Sequence, residues 1–209
     1  MRWPNFRHFP DLSGKALPAF DKKIEIKEMY CNRRSFFKIG AQAAISSLLP
    51  IPAVASINRF LISKRRLSFY NTHTHERLEI CYYTQGRYLP GALGKINYIF
   101  RDHYSGEIKP IHKDLIDFLH TISKTIGHDV QFHIISGYRS PETNAMLRRK
   151  TRAVAKNSLH MQGKAADIRI PDYDTGRLRN ICMKMKTGGV GYYPGSDFVH
   201  VDTGDVRYW

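Results

Sequence analysis

Three short stretches of this 209-residue chain carry residue types that do chemistry once they are brought together. They are Ser136-Gly137-Tyr138-Arg139-Ser140, the run from Ser158 to Asp167 (SLHMQGKAAD), and Phe198-Val199-His200-Val201-Asp202. In the second, six residues separate His160 from Asp167, with Gly163 between them. A loop that turns into a strand brings two side chains so spaced to one point. His200 falls on a strand expected near the end of the sequence. Two histidines and one carboxylate are the ligand set of an open catalytic zinc site, where three protein ligands leave a fourth position for water. A structural zinc would normally close its set with cysteine, and no cysteine stands nearby. Spacing alone is weak support, since the chain has ten histidines and a lone histidine is usually an ordinary surface or core residue. His73, His75, His103, His112, His120, His128 and His133 take that ordinary reading. By themselves Arg139 reads as a surface ion pair and Ser158 as a turn residue.

The elements that must position these side chains follow from hydrophobic periodicity. Leu67 and Phe69, then Leu78, Ile80 and Tyr82, alternate at period two around a polar NTHTHE segment, which predicts a β-hairpin over 65–83. Leu93, Ile96, Ile99 and Phe100 predict a helix over 92–104. Leu115, Ile116, Leu119 and Ile122 predict another over 113–126, ending at Gly127. A short strand follows from Val130 to Ile135. Pro141 opens a third helix running to about Lys150, since proline lacks only a donor that the first turn leaves unpaired. Residues 150–164 read as a polar, basic loop. A strand is expected over Ala165 to Ile170, a helix over Thr175 to Met185, and a last pair of strands around Pro194-Gly195. Early helices and late paired strands make the class α+β, a mostly antiparallel sheet with flanking helices.

Apolar residues are 42% of the chain and aromatics 12%, enough for a core and against a disordered chain. Three cysteines without a CxxC exclude a disulfide scaffold. No apolar run has the length of a confident membrane span. Lys and Arg number 33 against 18 Asp and Glu, and a formal charge of +15 calls for an anionic partner.

Residues 32–55, NRRSFFKIGAQAAISSLLPIPAVA, have the three parts of an export signal. Arg33-Arg34 begins a charged segment, a weakly apolar stretch follows, and Ala53-Val54-Ala55 has the shape of a cleavage site. The RRSFFK core resembles a twin-arginine signal, which implies export through the twin-arginine machinery. Such pairs stand close to the start, so translation from Met29 is expected. The organisation read here is an N-terminal extension and signal over 1–55, then one domain over 56–209. From Ser56 on, 24 Lys and Arg face 14 Asp and Glu, so the basic balance belongs to the exported part. Export takes nucleic acid off the expected partners and favours an anionic wall polymer or lipid headgroups. Cys81 and Cys182 are either a pair or two buried thiols.

Taken together, SGYRS, then SxHxxGxAxD, then a late strand with VH resemble the zinc D-Ala-D-Ala peptidases of bacterial cell-wall metabolism. The GGVGYYP run from Gly188 and the ending FVHVDTG…RYW are similar to the murein endopeptidase K-like branch, over about 65–209. The resemblance implies a hedgehog/D-Ala-D-Ala peptidase-like fold, one zinc per chain, peptidoglycan stem peptides as substrate, and a periplasmic enzyme with no stable membrane span. It carries the zinc ligands onto His160, Asp167 and His200. It carries the arginine that holds a substrate carboxylate or oxyanion onto Arg139, and it leaves Ser158 to position His160 or substrate.

The general base departs from the family's patterns. Relatives carry E-x-x-H or H-x-H before the last ligand, and here those positions are Asp197 and Phe198. Asp197 is a shortened form of the first. Asp202, two residues after His200, shares its strand face and stands either as base or as a carboxylate orienting His200. The expected function is a zinc-dependent murein endopeptidase. The rival is a catalytically inactive peptidoglycan-binding protein on the same fold.

Overall fold

A computed structural model describes residues 64–127, 130–151 and 154–209. The export signal with its Ala55 boundary, Met29 and His128 lie outside the described residues. The strands are β1 (Arg65–Asn71), β2 (Arg77–Thr84), β3 (Arg87–Tyr88), β4 (Gln131–Ser136), β5 (Ala165–Arg169), β6 (Gly189–Tyr193), β7 (Phe198–Asp202) and β8 (Arg207–Tyr208). The helices are α1 (Pro90–Ile99), α2 (Lys113–Ile126), α3 (Pro141–Lys150) and α4 (Thr175–Met185). The strands form one open, mostly antiparallel sheet in the order β3-β2-β1-β4-β5-β7-β6-β8. Two neighbouring pairs, β1 with β4 and β6 with β8, run parallel. The class is α+β, as read from the sequence.

Alternation along the strands divides the sheet into two faces. Phe69, Phe132, Ile134, Ile168, Val199 and Val201 are fully buried in the core. There α1 packs on β2, α2 on β1, and α4 on β6 and β7. Asp167 and His200 sit one residue out of phase with Ile168 and Val199, so they face the other side. The amphipathic stripe of α2 buries Leu115, Ile116, Leu119 and Ile122, and the helix stops where Gly127 turns left-handed at φ 93°. Ser140 caps α3 by accepting from Thr143 N at 3.1 Å, with Pro141 in the first turn.

The sequence expectation fails at three places. The helix expected through residue 104 stops at Ile99, because the Asp102 carboxylate draws the following backbone into a turn by accepting from Tyr104 N at 2.9 Å. The loop over 150–164 holds a 3₁₀ turn, Leu159–Gln162. The two-residue strands β3 and β8 are too short for any periodicity to reveal. Cys81 on β2 and Cys182 in α4 are free thiols. Among the described residues no helix is long and apolar enough to cross a membrane.

Candidate metal centre

His160 comes from the 3₁₀ turn, and the sequence around it explains why that turn forms. Ser158 Oγ accepts from His160 N at 3.3 Å and caps the turn's start. Gly163 ends it at φ 66°, a left-handed conformation that favours glycine. A Cβ there would also lie 2.4 Å from Pro110 O. The chain then enters β5, which carries Asp167. Asp167 lies directly opposite His200 of β7 in the antiparallel register. On its other side Asp167 pairs with Ser136 of β4, next to a register shift between Ile134 and Ser136. That irregularity releases the chain into Gly137, Tyr138 and Arg139 beside the two ligand-type residues.

One donor atom from each of His160, Asp167 and His200 lies within 4.8 Å of the others. His200 Nδ1 is 2.8 Å from Asp167 Oδ1, and His160 Nε2 is 3.2 Å from both of these atoms. The outer ring nitrogens fix the tautomers. His160 Nδ1–H donates to Gly137 O at 2.7 Å, so Nε2 turns a lone pair inward. His200 Nε2–H donates to Asp202 Oδ2 at 3.0 Å, which directs Nδ1 toward the cluster.

The electrostatics suit a cation. Burial first, then the Arg139 charge, push the His160 pKa down to about 4, so its imidazole is neutral. Burial alone would raise the Asp167 pKa, but His160, Arg139 and its hydrogen bonds hold it well below the usual carboxylate range. Burial opposes charge on His200 as well, yet hydrogen bonds to Asp167 and Asp202 raise its pKa. The point between these donors therefore attracts positive charge. Two neutral-capable imidazoles and an ionised carboxylate with no thiolate fit a zinc ion in an open site.

Arg139 closes one side. Its Nε donates to Ser136 Oγ at 2.7 Å, and its Nη2 donates to Asp167 Oδ2 and lies 3.2 Å from His160 Nε2. Arg139 is 9% exposed, so it belongs to the cluster and is not a surface ion pair. Asp202 is fully buried, and all its contacts are donors. Oδ1 accepts from Gly189 N at 3.0 Å and Gly204 N at 2.8 Å, and Oδ2 accepts from Arg207 Nη2 at 2.6 Å. Burial works against its charge, but hydrogen bonds from His200 and from the Gly204 and Gly189 N–H groups bring its pKa down to about 2. Asp197 is elsewhere: it is exposed and faces Arg169 at 3.5 Å.

Several supporting residues escape a reading of the sequence. Asp102 Oδ2 accepts from Ser140 N at 2.8 Å and tethers the Arg139 loop to the turn after α1. The Trp209 ring lies 5.3 Å from the His200 ring, covers Gly191, and donates from Nε1 to Tyr193 Oη at 2.9 Å. Nothing local in the sequence signals either contact, since both join distant segments.

Two of these contacts carry predictions. A Cβ on Gly137 would fall 2.4 Å from Phe100 O, while Tyr138 N donates to that same oxygen at 2.7 Å. Gly137→Ala is therefore expected to cost about 1–3 kcal/mol, read from the urea midpoint, and to lower activity by moving the carbonyl that holds His160. For Asp102, burial raises the pKa, but hydrogen bonds from Thr143, Ser140 and Tyr104 leave it lowered. A lowered folded pKa stabilises the fold above the unfolded value, and that stability is lost as pH falls through the folded one. Asp102→Asn should thus destabilise by about 1–3 kcal/mol at pH 7. The gap from the native chain should close below roughly pH 4; a gap that persists there would show the loss to be steric.

The family description peptidoglycan L,D-endopeptidase MepK matches residues 61–209. Peptidoglycan L,D-endopeptidase MepK of Escherichia coli K12 is 38% identical over 178 residues, 85% of this chain and 97% of that protein. The Shigella flexneri protein of the same name is 38% identical over the same 178 residues. Probable peptidoglycan L,D-endopeptidase MepK of Haemophilus influenzae is 37% identical over 179 residues, 85% of this chain and 95% of that protein. With a match that covers the whole described sheet and all three donors, the chain belongs to the MepK branch of the M15 metallopeptidase family.

Proposed function

We infer that this chain is a zinc-dependent endopeptidase that hydrolyses peptide cross-links of bacterial peptidoglycan. One observation carries the reading: in a member of an endopeptidase family, three buried donors of zinc-ligand type converge within 4.8 Å. His160, Asp167 and His200 would hold the ion. Zinc bound there would lower the pKa of a water toward 7 and polarise a scissile carbonyl.

The chain's own groups supply the rest. Gly137 O and the Asp202 carboxylate keep the two imidazoles in the tautomers that a cation needs. Arg139, permanently charged and forked, orients Asp167 and offers positive charge to a substrate carboxylate or a developing oxyanion. Ser158 holds the turn that presents His160. For Asp202, the orienting role is the better supported of the two, because its oxygens are occupied by donors and it contacts the outer nitrogen of His200. The names of the relatives favour an L,D cross-link. The signal-like segment and the cell-wall substrate favour a periplasmic enzyme exported through the twin-arginine machinery, on a hedgehog/D-Ala-D-Ala peptidase-like fold.

A second reading has one observation behind it. Both carboxylates considered for the general base are engaged, Asp202 by His200 and Arg207 and Asp197 by Arg169. A catalytically inactive peptidoglycan-binding protein would leave them so. Purified muropeptide dimers of defined linkage separate the two. Monomers are expected from L,D-linked dimers and none from D,D-linked ones. Binding without release from either type would turn the reading to a wall-binding protein.

A further inference from the structure

Arg139 is drawn into the ligand cluster, so a substrate carboxylate away from the scissile bond needs another reader. The sheet supplies one on the same face. Arg169 follows Asp167 by two residues on β5, so the two side chains point the same way, about 7 Å apart along the strand. The register extends this position into a cross-strand row next to the ligand row: Arg169 lies opposite His133, and His133 lies opposite Tyr70. A groove of about 370 Å³ opens there, with Arg169, His133, Tyr173 and Asp197 in its walls.

The groove's charge fits an anion. The partner of Arg169 is Asp197 at 3.5 Å, in a pair whose side chains are 38% and 63% exposed. Such an exposed pair contributes little and yields readily to a better-placed carboxylate. Arg77 lies over the Tyr70 ring at 4.9 Å, at the far end of the row. The charges of Arg169 and Arg77 both act on His133, adding to burial in lowering its pKa. Asp197, considered from the sequence as a base, is here the counter-ion that holds the guanidinium at the groove's edge.

We propose that this groove is a second substrate subsite, in which Arg169 binds a stem-peptide carboxylate outside the scissile bond. The proposal rests on the endopeptidase reading for its substrate, but its test does not depend on turnover. The probe is a pair of uncross-linked stem tetrapeptides whose diaminopimelate side-chain carboxylate is either free or amidated. Their affinities for the full, zinc-loaded chain are measured by titration calorimetry. The free acid is expected to bind about 10-fold more tightly, the effect of one charge-assisted, forked hydrogen-bond pair. In Arg169→Gln the preference should vanish. Arg169→Lys, which keeps the charge but not the fork, should retain part of it. Equal binding of the two peptides by the native chain, or an unchanged preference in Arg169→Gln, would overturn the subsite. A chain that cuts dimers but shows no preference loses the subsite alone. One that shows the preference but cuts nothing loses only the catalytic reading.

Discussion

His160→Ala is expected to reduce release of muropeptides from purified sacculi by at least about 100-fold, since changes merely behind a metal ligand already cost 10–100-fold. Zinc content should fall with it from about one per chain. The physical reason lies in the geometry. His160 supplies a neutral imidazole whose Nε2 faces the donors of Asp167 and His200 at 3.2 Å. Alanine removes that donor and leaves only the Asp167 carboxylate and the His200 imidazole, one ligand short of the three that an open zinc site needs. A chelator should silence the native chain to the same extent, and added zinc should restore the native chain but not the variant. Full activity in the chelated native chain would refute metal-dependent hydrolysis. To separate chemistry from unfolding, the variant's melting curve is compared with that of the chelated native chain, and the two should be close.

Asp202→Asn carries the second largest effect and decides between the two roles open to this carboxylate. Both oxygens of Asp202 meet only donors. An asparagine NH₂ must therefore oppose a donor on whichever side it faces, either the His200 ring or the backbone N–H groups of Gly189 and Gly204. In the first case the ring loses the partner that directs Nδ1 to the metal, and in the second the clash with the two N–H groups shifts the amide from its place behind the ring. Zinc affinity is expected to drop about 10–100-fold, with turnover largely recovered at saturating zinc. The contrary result, turnover lost while zinc is held as tightly as in the native chain, would make Asp202 a proton-transfer group. A readout of metal affinity beside turnover keeps the two apart, where activity alone would not.

Much of the site was legible because its residues sit in local patterns with a physical meaning. His160 and Asp167 are spaced around Gly163 as a loop turning into a strand would space them, and His200 and Asp202, two residues apart, share a strand face. Periodicity likewise marks α2, which ends at Gly127, and Pro141 in the first turn marks α3. The three candidate ligands were named from spacing and resemblance, and the sheet brings them together.

What the sequence by itself determined, then, is the set of chemical groups and the local elements that carry them: two imidazoles, a carboxylate and an arginine on a turn, two strands and a loop. Tertiary structure alone decided where each carboxylate lies and what it touches. Asp197 and Asp202 both stand within three residues of His200 along the chain, yet one faces Arg169 in a groove and the other is buried behind the imidazole. The same holds for the fit of Gly137 against Phe100 O, the tether from Asp102 to Ser140, and the row that joins Arg169 to His133 and Tyr70. Each of these is a contact between segments far apart in the chain. Local propensity does not encode such contacts, because they exist only once strand order and register have been chosen by burial of the whole core.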